Sequence, residues 1–327
     1  MLRRKSTLTI IAALMLFVTN SFAMAQSDGF TTFLKDDFDS YNQNLWIYYF
    51  HWNIPGTNEW YWVGPEGGSL TITDGVLNLR PFNYRGSSFL QTKEKVITSL
   101  PAKVKFRIRF KSNESAFRGA LIELLSQSQW GILEGKYVRV SWYLGETVPW
   151  GATGHIDMWD SCGNYSSSNF GLYSIPCDTW IEGEMQLFND HIEANFNNNN
   201  YIVYGNVKSL LETYGGLYLR VATCTDHSQH GFDLDWIEIR KKPTISELIE
   251  LKHQLYELGS IDNYGIVKSL DAKLNAAKLA LEHSENDTAK KILKAFINEV
   301  LAQSGKHINS EAASKLVTYG EAILTSL

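Results

Sequence analysis

Lys103-Val104-Lys105-Phe106-Arg107-Ile108-Arg109-Phe110-Lys111 alternates a basic with an apolar residue without a break. A period of two puts every base on one face of a β-strand and every apolar group on the other. The run therefore predicts a strand with one face in a core. Its row of bases reads either as a phosphate-binding patch or, more plainly, as a solvated outer face. The same alternation recurs at 137–143 and 216–221. Short runs of this kind continue from Phe33 to Arg240, divided by turn signals such as Asp74-Gly75, Glu66-Gly67-Gly68 and Tyr214-Gly215-Gly216. Many short strands over about 210 residues predict an all-β jelly-roll sandwich. Helical spacing is nearly absent here, with one turn expected at 207–211.

The pattern changes at Lys241-Lys242-Pro243, and all ten tryptophans precede that tripeptide. Proline neither continues a strand ladder nor sits inside a helix, so a module boundary is expected there. Beyond it, Thr244 with Glu247 forms a capping box ahead of Leu248, Leu251, Leu255 and Leu258, and Gly259 supplies a left-handed residue to end that helix. Apolar stripes at Ile266, Leu270, Leu274, Ala277 and Leu281, then at Ile292 to Leu301, then at Ala313 to Leu324, predict three more helices and a small all-α bundle.

The first 25 residues carry Arg3, Arg4 and Lys5, an apolar run from Leu8 to Val18, and Ala23-Met24-Ala25. These are the parts of a secretory signal peptide. The apolar run is shorter than the roughly 18 residues of a spanning helix. Three regions follow: 1–25 as signal peptide, 26–242 as β-sandwich, 243–327 as helical bundle. The protein is expected to be secreted or extracellular, or periplasmic where the host has an outer membrane, with no membrane span after cleavage. A net charge of −5 argues against nucleic acid as the main partner. Cys162 and Cys177 flank a Ser/Asn-rich loop and are the expected disulfide; closing about 15 residues stabilises by roughly 3 kcal/mol. Cys224 is left free or pairs elsewhere.

Sugar-binding grooves use aromatic rings, because pyranose C–H faces stack on them while polar groups fix orientation. Trp46, Trp180 and Trp236 read as sandwich core. Trp52, Trp60, Trp150 and Trp159, flanked by Gly, Pro and Asn, are the candidate carbohydrate-binding residues, with core packing as the alternative.

The opening Leu34-Lys35-Asp36-Asp37-Phe38-Asp39 followed by Leu45-Trp46, the late Asp178-Thr179-Trp180, the hairpin at 191–201, and the closing Gly231-Phe232-Asp233-Leu234-Asp235-Trp236-Ile237 resemble the concanavalin A-like lectin/glucanase (laminin G-like) superfamily over residues 30–240. That resemblance implies a structural calcium where first and last strands meet, at Asp37 and Asp235; turn capping is the alternative for both. Laminarinase-like glucanases of this fold carry a Glu-x-Asp-x-Glu strand whose two glutamates, about 5 Å apart, act as nucleophile and acid/base. Nothing in the chain matches it. His155 to Asp160 comes nearest without a Glu at either position, and Glu182-Gly183-Glu184 reads as a solvated outer strand. No catalytic residues are assigned. The Arg and Gln-x-His signatures of jelly-roll alginate lyases are missing, and 118–124 is only loosely similar to the first.

Val267-Lys268-Ser269-Leu270 with Lys273-Leu274, Leu293-Lys294-Ala295-Phe296-Ile297-Asn298-Glu299-Val300, and Gly305-Lys306-His307-Ile308 resemble the FIMAH domain over residues 262–327. This is a C-terminal appendage of exported bacterial and archaeal proteins, and it implies an interaction or attachment role. Three functions stay open: an exported carbohydrate-binding protein that contacts a polysaccharide and, through its helices, a cell-surface or partner protein; a glycoside hydrolase or polysaccharide lyase with an unrecognised acid pair; and an adhesive protein that binds protein ligands.

Overall fold

The computed structural model describes residues 28–53, 60–63, 69–80, 86–110, 118–126, 139–147, 151–159, 165–169, 178–196, 199–223 and 232–327. Two antiparallel sheets of eight strands are followed by helices, which agrees with the fold class the sequence predicts. The first sheet runs β14 (Asn199–Tyr204), β13 (His191–Phe196), β12 (Ile181–Leu187), β7 (Ala102–Arg109), β16 (Phe232–Lys241), β5 (Val76–Arg80), β4 (Ser69–Thr73), with β1 (Thr31–Asp36) pairing β16. The second runs β11 (Tyr165–Asn169), β10 (Gly151–Trp159), β9 (Arg139–Thr147), β8 (Arg118–Leu125), β15 (Tyr218–Thr223), β6 (Gly86–Thr92), β2 (Trp46–Asn53), β3 (Trp60–Val63). At 207–211 the single expected turn lengthens into helix α1 (Val207–Tyr214), because Asn206 caps Ser209 N and Gly215 closes the other end at φ 64.

The alternation of β7 does what its period requires. Val104, Phe106 and Ile108 are fully buried between the sheets, while Lys105, Arg107 and Arg109 point outward. The outer face is a paired network: Arg107 Nη1 donates to Asp235 Oδ2 at 2.8 Å and Arg109 Nη2 to Asp233 Oδ2 at 2.6 Å. Both guanidinium groups stack over Trp180, 5.3 and 4.4 Å from its ring centre. Trp180 is therefore held on the outer face, half-buried like Trp236, and of the three tryptophans expected in the core only Trp46 lies there. On β12, Ile181, Met185 and Leu187 face the core, and Gly183 leaves the space that the Phe106 ring occupies.

The chain divides into two compact units, residues 34–239 and residues 240–327 with 28–33. The second unit contains α2 (Ile245–Glu257), α3 (Tyr264–Glu282), α4 (Asn286–Gln303) and α5 (Ser310–Ser326). Leu248, Leu270, Leu274, Leu293, Phe296, Val300 and Leu316 are fully buried at its centre. The Thr244/Glu247 capping box forms in both directions, and Gly259 takes φ 71 after α2. A short ribbon belongs to this unit: Arg240 donates to Asp28 and to Phe30 O, Thr31 Oγ1 donates to Lys241 O, and Lys241 Nζ meets Glu247 Oε1 at 2.5 Å.

Candidate functional site

The second sheet carries a polar cluster on the face turned away from the first. Leu90, Ile122, Leu124, Leu219 and Val221 alternate into the inter-sheet core. Their neighbours on the same strands make up the opposite face, where Tyr49, Phe89 and Ala222 form a separate apolar cluster with Leu121 packed against it. Beside it, Arg220 Nε donates to Glu123 Oε2 at 2.6 Å and Arg220 Nη1 to the Tyr49 hydroxyl at 3.3 Å. The Tyr49 hydroxyl in turn donates to Gln91 Oε1 at 3.1 Å. The Arg220 guanidinium lies 4.8 Å from the Phe89 ring centre, and the Tyr49 and Phe89 rings stack at 5.0 Å.

All four polar members are buried, Arg220 at 4% exposure and Glu123 at 1%. Burial works against the Arg220 charge, but the Glu123 carboxylate and Tyr49 more than offset it, so the guanidinium is held protonated more firmly than usual. Burial also pushes the Tyr49 hydroxyl up, with the Arg220 charge acting the other way. The hydroxyl stays neutral and can both donate and accept. The result is a fixed arrangement of one cation, one carboxylate, a carboxamide and two rings.

Strand register extends this face. Gln91 pairs with Arg220, Arg220 with Glu123, Glu123 with Ser141, Ser141 with Asp157, and Asp157 with Ser167. The next row on the same face runs Tyr49, Phe89, Ala222, Leu121, Tyr143, His155, Asn169. Directly paired residues share a sheet face, so Asp157 stands on the Glu123 face two strands away. At about 4.8 Å per strand the two backbones are about 10 Å apart.

The candidate aromatic residues fall differently. Trp60 pairs with Asn53, four residues from Tyr49, and Trp159 pairs with Arg139, itself the partner of Leu125. Both positions share the face of Glu123. Trp52 pairs with Tyr61 and Gly86, in phase with Trp46 and Tyr48 on the opposite face. These three tryptophans are described through their backbones alone, and Trp150, Cys162, Cys177 and Cys224 lie outside the described residues. Of the carboxylates implied for calcium, Asp37 Oδ1 lies 2.5 Å from Lys35 Nζ and Asp235 Oδ2 lies 2.8 Å from Arg107 Nη1. Among the described residues no group of three or more His, Cys, Asp or Glu side chains is arranged to hold a metal.

Glu123, Arg220, Tyr49 and Gln91 were not among the residues that motif reasoning selects. A signal does exist in the sequence, since Glu123 is the one charge in the run 119–125 and Arg220 the one charge in 215–224. A charge at an otherwise apolar strand position is either paired or misplaced.

Residues 245–325 match the FIMAH domain, which bears out the resemblance read in the sequence and extends it over α2. No curated protein sequence matches the chain. Among solved structures, LamA from Z. galactanivorans in complex with laminaritriose and laminaritetraose is similar at 12% identity and TM-score 0.47, covering 64% of this chain and 99% of that one. SCLam, a non-specific endo-β-1,3(4)-glucanase from family GH16, is similar at 14% identity and TM-score 0.48, covering 68% of this chain and 94% of its own. The carbohydrate recognition domain of Emp46p is similar at 11% identity and TM-score 0.42, with 62% and 93% covered.

Proposed function

We propose that the chain is an exported glycan-binding protein that contacts polysaccharide through the outer face of its second sheet, with the FIMAH-like helices serving attachment. The observation that supports it is the make-up of that face by register, where Ser141, Asp157, Ser167, Tyr143, His155 and Asn169 continue the rows of Glu123 and Leu121, beside a buried and internally tied set of Tyr49, Gln91, Glu123 and Arg220. Removing two charges from water costs several kcal/mol per ion even after relaxation, so a sandwich gains little by keeping such a pair for stability alone. Rigid hydrogen-bonding groups beside stacked rings are what recognition of a polyol requires. Binding is favoured over hydrolysis because the chain has no Glu-x-Asp-x-Glu run, and β8 places one acid, Glu123, on this face. The single acid there is tied to Arg220.

A hydrolase reading has one observation in its favour. Glu123 and Asp157 share a register row two strands apart, which puts two acids on one sheet face. Incubating the mature protein with a panel of soluble and insoluble glycans, and measuring both depletion from solution and release of reducing or unsaturated ends, separates the two. Depletion without release supports binding, release from any glycan supports the acid pair, and a panel with neither overturns both.

A further inference from the structure

The first sheet carries a groove of its own on its outer face. Its edge strand β14 and the neighbouring β13 and β12 expose an open groove of about 610 Å³ lined by Glu182, Gln186, Glu193, Asn195, Asn200 and Ile202. Register aligns these side chains in rows: Ile202 with Glu193 and Gln186, Asn200 with Asn195 and Glu184. The next row brings Tyr204 opposite His191.

Tyr204 is 67% exposed on this edge, and its ring is braced from behind. The His191 ring lies 5.8 Å from it and is itself stacked on Phe188 at 4.4 Å and 13°. A ring held in place loses little freedom when a ligand covers it. The carboxamides are also set, with Asn195 Nδ2 donating to Asn200 Oδ1 at 2.5 Å. From Tyr204 to Asn200 is four residues of strand, about 14 Å, the span of a short oligosaccharide.

The charge balance selects among glycans. Lys105 lines the groove and, with Lys103, lies 3.5 Å from Glu184, two bases sharing one carboxylate. Glu182 and Glu193 add two more carboxylates, so the lining holds three acids to one base, with amides between them. Carboxylates accept hydrogen bonds from hydroxyl groups and repel sulfate or uronate.

The geometry points to a second glycan site on the outer face of the first sheet, built from Tyr204, Asn195, Asn200 and Glu193 and taking an uncharged polysaccharide. It is independent of the second-sheet face. Gel retardation in laminarin, barley β-glucan and xylan, for wild type, Tyr204→Ala, the Asn195→Ala/Asn200→Ala double variant and Trp159→Ala, tests it. Tyr204→Ala and the double variant are expected to fold normally and each to lose about tenfold in affinity for at least one of the three, the scale of one stacked ring. Loss in these two with Trp159→Ala unchanged supports this site and counts against the other. Loss in Trp159→Ala alone, or a wild type that none of the three retards, overturns the second site.

Discussion

Arg220 and Glu123 stand opposite each other on neighbouring strands β15 and β8 and meet at 2.6 Å, both buried, on the side of their sheet away from the sandwich core. Deleting one partner of such a pair strands the other charge, at about 3–5 kcal/mol, whereas replacing both with apolar groups of similar volume is close to neutral. Urea unfolding followed by tryptophan fluorescence should show Arg220→Met destabilised by that amount, and the Arg220→Met/Glu123→Leu double variant recovering most of it. A double variant as unstable as the single would mean that the pair is not the unit.

The sandwich and the bundle were legible because both are written in local periods. The alternation from Lys103 onward and the stripe through Leu248, Leu255, Leu270 and Leu274 depend on spacing within one element. The site is of another kind. Glu123 and Arg220 lie 97 residues apart and become partners only because β8 and β15 are adjacent in the sheet. Trp180 shows the complementary failure: its hydrophobicity suggested core, yet two guanidinium groups from β7 give it a better place outside.

Gly183 sits under the Phe106 ring, and a Cβ there would meet ring atoms at 2.3 Å. Gly183→Ala should cost about 1–3 kcal/mol through overpacking. Combined with Phe106→Leu its cost should shrink, giving a coupling energy in a double-mutant cycle. Simple additivity of the two changes would contradict the close contact.

Thr244 and Glu247 cap α2 reciprocally, and Glu247 also holds Lys241. Thr244→Ala should lower the stability of the helical unit by about 1 kcal/mol. Glu247→Ala should cost more, since it removes the returning bond of the capping box and leaves the largely buried Lys241 without that carboxylate. Thermal melts at 222 nm would show the order of the two variants.

Lys252 is fully buried in α2, where it pairs with Asp271 and touches His253. Burial holds its pKa below the ordinary 10.5, with Asp271 acting in the opposite sense. A base with a depressed folded pKa binds fewer protons when folded than when unfolded between those two values, so stability rises with pH across that window and is lower beneath it. Urea midpoints of the helical signal should therefore climb toward alkaline pH in wild type more steeply than in Lys252→Met. Parallel pH profiles would remove the buried amine as the cause.

The central claim is that the outer face of the second sheet contacts glycan, and quantitative binding of Trp60→Ala and Trp159→Ala to whichever polysaccharide depletes the wild type tests it most directly. Both positions share the face of Glu123 and Arg220 by strand register. If that face is the contact surface, at least one variant keeps its circular dichroism spectrum and binds about tenfold more weakly. Wild-type affinity in both variants, or a wild type that no polysaccharide depletes, would contradict it.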